Sequence, residues 1–134
     1  MTQDEFAAAV MNPSPFTWER WAADWERRVA DCFGLVVLEF HRVRGVDLGP
    51  VPRTDIGAGY LLAARDWQPC EPVPGAVVMC WDGEYPTHCG VLHRGGMALH
   101  CPGASDYPGS ARLTTLPAMR RLYGRLTFHE YRPC

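Results

Sequence analysis

DCFGLVVLEF, residues 31–40, is the stretch on which the reading of this chain turns. Asp31 is a good helix N-cap, because its side chain can accept from the free backbone N–H groups of the next turn. Leu35, Val36, Phe40 and Val43 then recur at helical spacing, and Gly45 can end the helix. Cys32 therefore falls in the first turn of a buried helix. Unpaired N–H groups and the positive end of the helix dipole favour thiolate there. In such settings a cysteine pKa can fall to roughly 3.5–7.5. The same residues also fit an ordinary buried cysteine, so the decision rests on a pair of histidines further along.

Upstream, residues 3–11 predict a short helix carrying Phe6 and Val10, broken by Asn12-Pro13-Ser14-Pro15. Thr17 then reads as the N-cap of another helix. Trp18, Trp21, Trp25 and Val29 form its apolar stripe, with Glu19, Asp24 and Arg27 facing elsewhere. That stripe fits packing on the domain's own core, and it also fits a docking face for a partner.

Downstream, GVDLGPVPRTD is a Gly- and Pro-rich loop, and Thr54 or Asp55 can cap a further helix over IGAGYLLAARDW. QPCEPVPG is an extended connector. From Ala76 the pattern changes: AVVMCW is a continuous apolar run of strand length. HCGVLH and MALHC read as two strands joined through Arg94-Gly95-Gly96. RLTTL is a candidate strand, PAMRRLYG a helical turn with Pro117 at its start, and RLTFHEYR a last strand. Helices first and then an antiparallel meander predict an α+β fold, with the N-terminal helices packed on one face of an antiparallel sheet.

A length of 134 residues, 47% of them hydrophobic, predicts a single domain, 1–134, with a real core. Within it, 1–30 reads as a helical extension and 31–134 as the catalytic core. A net charge of -2 leaves no basic surface for nucleic acid. No apolar run reaches membrane-spanning length. The acidic start MTQDEFAAAVMNPSPF lacks a charged n-region before an apolar stretch, which predicts synthesis in a cytoplasm without a secretory signal. The six cysteines contain no CxxC pair, so reduced thiols are expected and a zinc ribbon is not. A loose metal or cluster site from Cys70, Cys80, Cys89 or Cys101 is the remaining alternative.

A thiolate nucleophile needs a base that takes its proton and returns it to the leaving amine. Histidine suits that task, and a second group must fix its tautomer. His88 opens one strand and His100 closes the next. A two-residue Gly95-Gly96 turn would pair Val91 with His100 and put His88 on the opposite face. A three-residue Arg94-Gly95-Gly96 loop, a common hairpin class with glycine in the left-handed region, pairs Gly90 with His100. His88 and His100 then share a face, and Cys89 lies opposite Cys101 on the other. His41 reads as a solvated helix residue, His93 falls on the other face near the hairpin tip, and nothing pairs His129 with Cys32.

These motifs, DCFGLVVLEFHRVRGVDL, PGAVVMCW and THCGVLHRGGMALHC in that order, resemble the NlpC-type cell-wall cysteine peptidases, a papain-like family. Its members typically read D-C-S-G-L-V, then P-G-D-L, then S-H-V-G-I-Y and a closing I-H-A. The chain end RLTFHEYRPC resembles the phage-encoded branch. Phe33 stands where Ser is usual, Ala76 where Asp is usual and Thr87 where Ser is usual. The family's upstream Tyr near the substrate has no clear match.

The resemblance implies Cys32 as nucleophile, His88 as general base and acid, and His100 as the orienting third residue. It places Asp31 and Phe33 beside the substrate and oxyanion site, where the Cys32 backbone N–H would be one donor. It implies no metal and no cofactor. The implied activity is a peptidoglycan endopeptidase cutting stem peptides at the D-isoglutamyl–diaminopimelate bond. The implied setting is the virion tail tip, or a related tail-like particle, beside hub or baseplate proteins. A structural tail-tip component that keeps the peptidase fold is the alternative, with a thiol amidase or acyltransferase as a third.

Overall fold

The computed structural model describes residues 1–51, 53 and 66–132. The helix expected over IGAGYLLAARDW lies outside these residues except for its last two positions, and Cys134 also lies outside them. Helix α1 spans Gln3–Met11 and starts at a capping box. The Thr2 side chain accepts from the Glu5 N–H and the Glu5 carboxylate accepts from the Thr2 N–H. Its Phe6, Ala7 and Val10 are buried.

Residues 17–30 do not form the expected tryptophan helix. They form three short strands, β1 (Thr17–Trp18), β2 (Ala23–Asp24) and β3 (Val29–Ala30), in the order β1-β3-β2. The local chemistry explains the difference. Asp24 Oδ1 accepts from the Arg27 N–H at 3.0 Å and Asp31 Oδ2 from the Trp21 N–H at 2.8 Å. Such side-chain bonds compete with a helical ladder. Trp21 and Arg28 sit in the left-handed region, at φ 60° and 56°, which no α-helix accommodates. Trp25 still covers the core, with its ring 5.8 Å from Phe6 and 5.4 Å from Phe16, but from a loop. The helical docking face therefore does not exist.

Helix α2 (Cys32–Arg44) begins at the Asp31 cap and ends at Gly45, whose φ of 66° is the left-handed stop expected there. His41, Arg42 and Arg44 fall in its last turn, where cations suit the dipole.

The main sheet holds β4 (Trp67–Pro69), β5 (Val77–Asp82), β6 (Tyr85–His93), β7 (Met97–His100), β8 (Arg112–Thr115) and β9 (Arg125–Tyr131), in the order β4-β9-β5-β6-β7-β8. Strands β5 to β8 are the expected meander, while β9 returns along the free edge of β5. Part of the connector QPCEPVPG is recruited into β4 against β9. Helices α1 and α2 pack on one face. Phe33, Val36 and Phe40 meet Val77, Met79, Cys89 and Val91, while Phe6, Val10, Leu35 and Leu38 meet Leu99 and Cys101.

The expected helical turn after Pro117 is a full helix, α3 (Leu116–Tyr123), and it covers the other face. Its Met119 packs on Val78, Cys80, Leu92 and Ala98. The centre of the sheet is thus buried on both sides. That is why AVVMCW reads as an unbroken apolar run rather than an alternating one.

The β6–β7 hairpin has the three-residue register. Val91 pairs with Leu99, Leu92 with Ala98 and His93 with Met97, leaving Arg94-Gly95-Gly96 as the loop. Gly95 and Gly96 adopt φ 80° and 71°. Continued along the strands, this ladder sets Gly90 beside His100, where a Cβ on the glycine would lie 3.0 Å from the His100 Cβ.

Candidate active site

Cys32 is the first residue of α2, so its position depends on how that helix starts. Asp31 Oδ1 accepts from the Gly34 N–H at 2.6 Å, while Oδ2 ties down Trp21. The Asp31 N–H in turn donates to the Ala22 carbonyl at 3.0 Å. Gly34 leaves room for that carbonyl, since a Cβ there would lie 1.8 Å from Ala22 O. The glycine two residues after the cysteine is therefore a steric need of the loop that crosses the helix start. Burial pushes the Asp31 carboxyl up to about 6, and charge on Cys32 adds to the shift.

Cys32 is half-buried and packs against the cluster that contains Cys89. Hydrogen bonding from the Cys89 thiol, and then from His88, holds its pKa well below the ordinary thiol range, against the opposing effect of burial. Cys89 moves the other way. Burial raises its pKa, and the neighbouring Cys32 raises it further. Of the two thiols, Cys32 is the one whose surroundings favour the charged form.

His88, from β6, and His100, from the end of β7, meet edge to face, with His88 Nε2 2.7 Å from His100 Nδ1. His100 Nε2 lies 2.7 Å from Thr114 Oγ1 on β8. Burial, the charge of His88 and then Arg112 depress the His100 pKa to about 3. His100 is therefore neutral near neutral pH and carries one ring proton. With that proton on Nε2 it donates to Thr114, and its Nδ1 accepts from His88 Nε2–H. The network assigns these tautomers. The His88 Nδ1 is then the nitrogen left for Cys32.

The structure thus brings Cys32, His88 and His100 together and adds Thr114 and Tyr123, which sequence reasoning missed. Tyr123 ends α3 with its ring 4.4 Å from that of His88 and 5.8 Å from that of His100. The Thr87 hydroxyl, 2.8 Å from the Tyr123 carbonyl, ties the end of α3 over this site. A hydroxyl residue just before His88 thus has a structural task. Thr114 pairs with Ala98 and so lies on the His100 face, a placement readable once β8 is aligned. No sequence signal points to Tyr123, because its place depends on how α3 crosses the sheet.

The Phe33 ring is 7% exposed and belongs to the α2–sheet core, and its N–H bonds the Asp31 carboxylate. His41 is exposed on α2. His93 is buried against Glu39 at 2.8 Å, and Glu39 Oε2 accepts from Gln3 Nε2 at 2.9 Å, pinning α1 and α2 to β6. His129 Nε2 lies 2.8 Å from Thr127 Oγ1 on its own strand. Cys32, Cys70, Cys80, Cys89 and Cys101 are free thiols. Among the described residues no group of His, Cys, Asp and Glu is arranged to hold a metal ion, and no helix is long and apolar enough to cross a membrane.

The arrangement can generate a thiolate, hold its proton on a neighbouring ring and keep that ring oriented. No family model matches the sequence, and no curated protein matches it. Among solved structures, the chain is similar to the NlpC/p60 domain of the peptidoglycan hydrolase SagA. The TM-score is 0.52 at 16% identity, over 83% of this chain and 84% of that one. At that identity the likeness establishes the fold: an α+β, papain-like NlpC/p60 architecture.

Proposed function

We propose that this chain is a cysteine endopeptidase acting on peptidoglycan stem peptides. One observation carries the reading: a cysteine at a helix start, beside a histidine that a second, buried histidine holds in place at 2.7 Å. The NlpC/p60-like fold and the order of the sequence motifs support the substrate class.

The chemistry follows from the geometry. The Cys32 thiolate attacks the scissile carbonyl carbon, and His88 holds the thiol proton on Nδ1. The charge developing on the carbonyl oxygen meets the Cys32 backbone N–H, which lies in the first turn and has no intrahelical acceptor. As the tetrahedral intermediate collapses, His88 gives its proton to the departing amine. A water, deprotonated by His88, then attacks the thioester and restores Cys32. Throughout, His88 keeps Nε2–H on His100, which orients the ring and spreads its positive charge towards Thr114. His100 touches no substrate, so it is a positioning residue.

The preferred bond in this reading is D-isoglutamyl–diaminopimelate, and the protein acts at the cell wall while carried on a phage tail tip or related particle, beside hub or baseplate proteins. Support for these finer points is the resemblance of the motifs and of the RLTFHEYRPC end to the phage-encoded branch.

The test is digestion of purified sacculi, with released muropeptides read by mass spectrometry. New amino termini on diaminopimelate are the expected product. Intact muropeptides after prolonged incubation with folded protein would count against the activity, and a purely structural role on the particle would then stand.

A further inference from the structure

We propose that Cys32 and Cys89 are a redox pair: a hydroperoxide links them in a disulfide that closes the site reversibly. The Cys89 thiol takes no covalent part in peptide hydrolysis, yet it sits inside the site. It follows His88 on β6 and, by the alternation of the strand, faces α2 rather than α3. Cys32 packs on the same cluster, and the Cys89 thiol bonds the Cys32 sulfur. Cys32 is partly open to solvent, whereas Cys89 is fully buried, so an oxidant meets Cys32 first.

The other thiols are placed differently. Cys80 lies under α3 with Val78, Leu92 and Met119, on the far face of the sheet. Cys101 shares the Cys89 face, but its S–H donates to the Ala30 carbonyl at 3.3 Å. Cys89 is therefore the thiol placed to resolve Cys32.

The chemistry balances. The Cys32 thiolate attacks the O–O bond of hydrogen peroxide, forming a sulfenic acid and, with one proton from solvent, releasing water. The Cys89 sulfur then attacks the Cys32 sulfur. A disulfide forms, and the sulfenic hydroxide leaves as water with the Cys89 proton. Two thiols are oxidised by two electrons and one peroxide is reduced to two waters. A dithiol reverses the step. Without the second thiol, a second hydrogen peroxide oxidises the sulfenic acid to sulfinic acid and is itself reduced to water, a step that a dithiol does not reverse.

This rests on Cys32 being the reactive thiol of the proposed site, but not on the substrate, and the test is read at sulfur. The purified full chain is treated with excess hydrogen peroxide, alkylated with iodoacetamide, digested without reductant and mapped by mass spectrometry. The expected result is a Cys32–Cys89 linked peptide that dithiothreitol returns to two thiols. Cys101→Ser should give the same link. Cys89→Ser, and Cys89→Val as a second, apolar replacement, should give Cys32 sulfinic acid that dithiothreitol leaves in place. A wild-type chain whose Cys32 goes to sulfinic acid as in the Cys89 variants, links to Cys101 or Cys80, or stays a free thiol overturns the pair. Failure to digest sacculi would count against the peptidase reading and leave this mapping standing.

Discussion

His88 Nε2 lies 2.7 Å from His100 Nδ1 because a three-residue loop, not a two-residue turn, joins their strands. One residue of slip would send one ring through the sheet to the other face. Gly90 guards this relationship. A Cβ at that position would meet Leu99 O at 2.7 Å and the His100 Cβ at 3.0 Å. Gly90→Ala should therefore lose roughly 1–3 kcal/mol of stability by overpacking, and the folded fraction should release muropeptides more slowly than wild type. Thermal melting and digestion of sacculi by the same preparation check both parts.

Cys32 and His88 act as one unit, since neither attack nor leaving-group protonation proceeds without both. Losses within such units are strongly non-additive. Cys32→Ala, His88→Ala and the double variant should fall to nearly the same floor of muropeptide release. A double variant far below either single one would contradict the shared step.

His100 acts only through His88, so its replacements should grade. His100→Asn or His100→Gln should keep more activity than His100→Ala, because an amide can still hydrogen-bond the His88 ring. Thr114→Val should mimic a weaker version of the same loss by leaving His100 Nε2–H unpaired. Rates on sacculi from matched, folded variants give the order. Equal activity for His100→Ala and wild type would remove His100 from the account.

Stability should carry the signature of two buried groups with opposite signs. His100 titrates at about 3 in the folded chain, below its ordinary 6.5, so the native state binds fewer protons. Its contribution is present above pH 6.5 and lost as pH falls towards 3. Asp31 is raised from 3.8 to about 6, so its contribution is present below 3.8 and lost as pH rises through 6. Between these values the two slopes oppose each other. His100→Asn removes the His100 slope and keeps the others, that of Asp31 among them. The wild-type minus variant difference in urea-unfolding free energy should therefore rise with pH across this window, by up to ~1.4 kcal/mol per pH unit. Parallel curves would show that His100 is not held neutral by its surroundings.

Phe33 separates packing from chemistry. Its ring is 7% exposed in the α2–sheet core. Phe33→Ser should cost roughly 1.5–3 kcal/mol in lost apolar burial, while the folded protein keeps near wild-type rates at low temperature. A large drop in rate without a drop in melting temperature would give Phe33 a direct part in substrate binding.

The elements legible in the sequence were those whose own residues decide them. Asp31 and Gly45 mark both ends of α2, and Gly95 with Gly96 selects the hairpin loop. The tryptophan segment misled because Trp18, Trp21 and Trp25 sit at helical spacing. Asp24 and Asp31 instead bond nearby backbone, and the loop closes on Gly109 and Ser110 far along the chain. Of the site, Cys32, His88 and His100 could be placed from a helix start and one hairpin. Thr114 needed the β7–β8 register, Tyr123 needed the crossing of α3, and the contact between Cys89 and Cys32 needed the packing of α2 on β6. All three are tertiary placements, which local spacing does not encode.

The most direct test of the account is digestion of purified sacculi by wild type and Cys32→Ala side by side, at equal folded concentration. The account predicts new diaminopimelate amino termini with wild type and none above background with Cys32→Ala. Release by Cys32→Ala at the wild-type rate would contradict it.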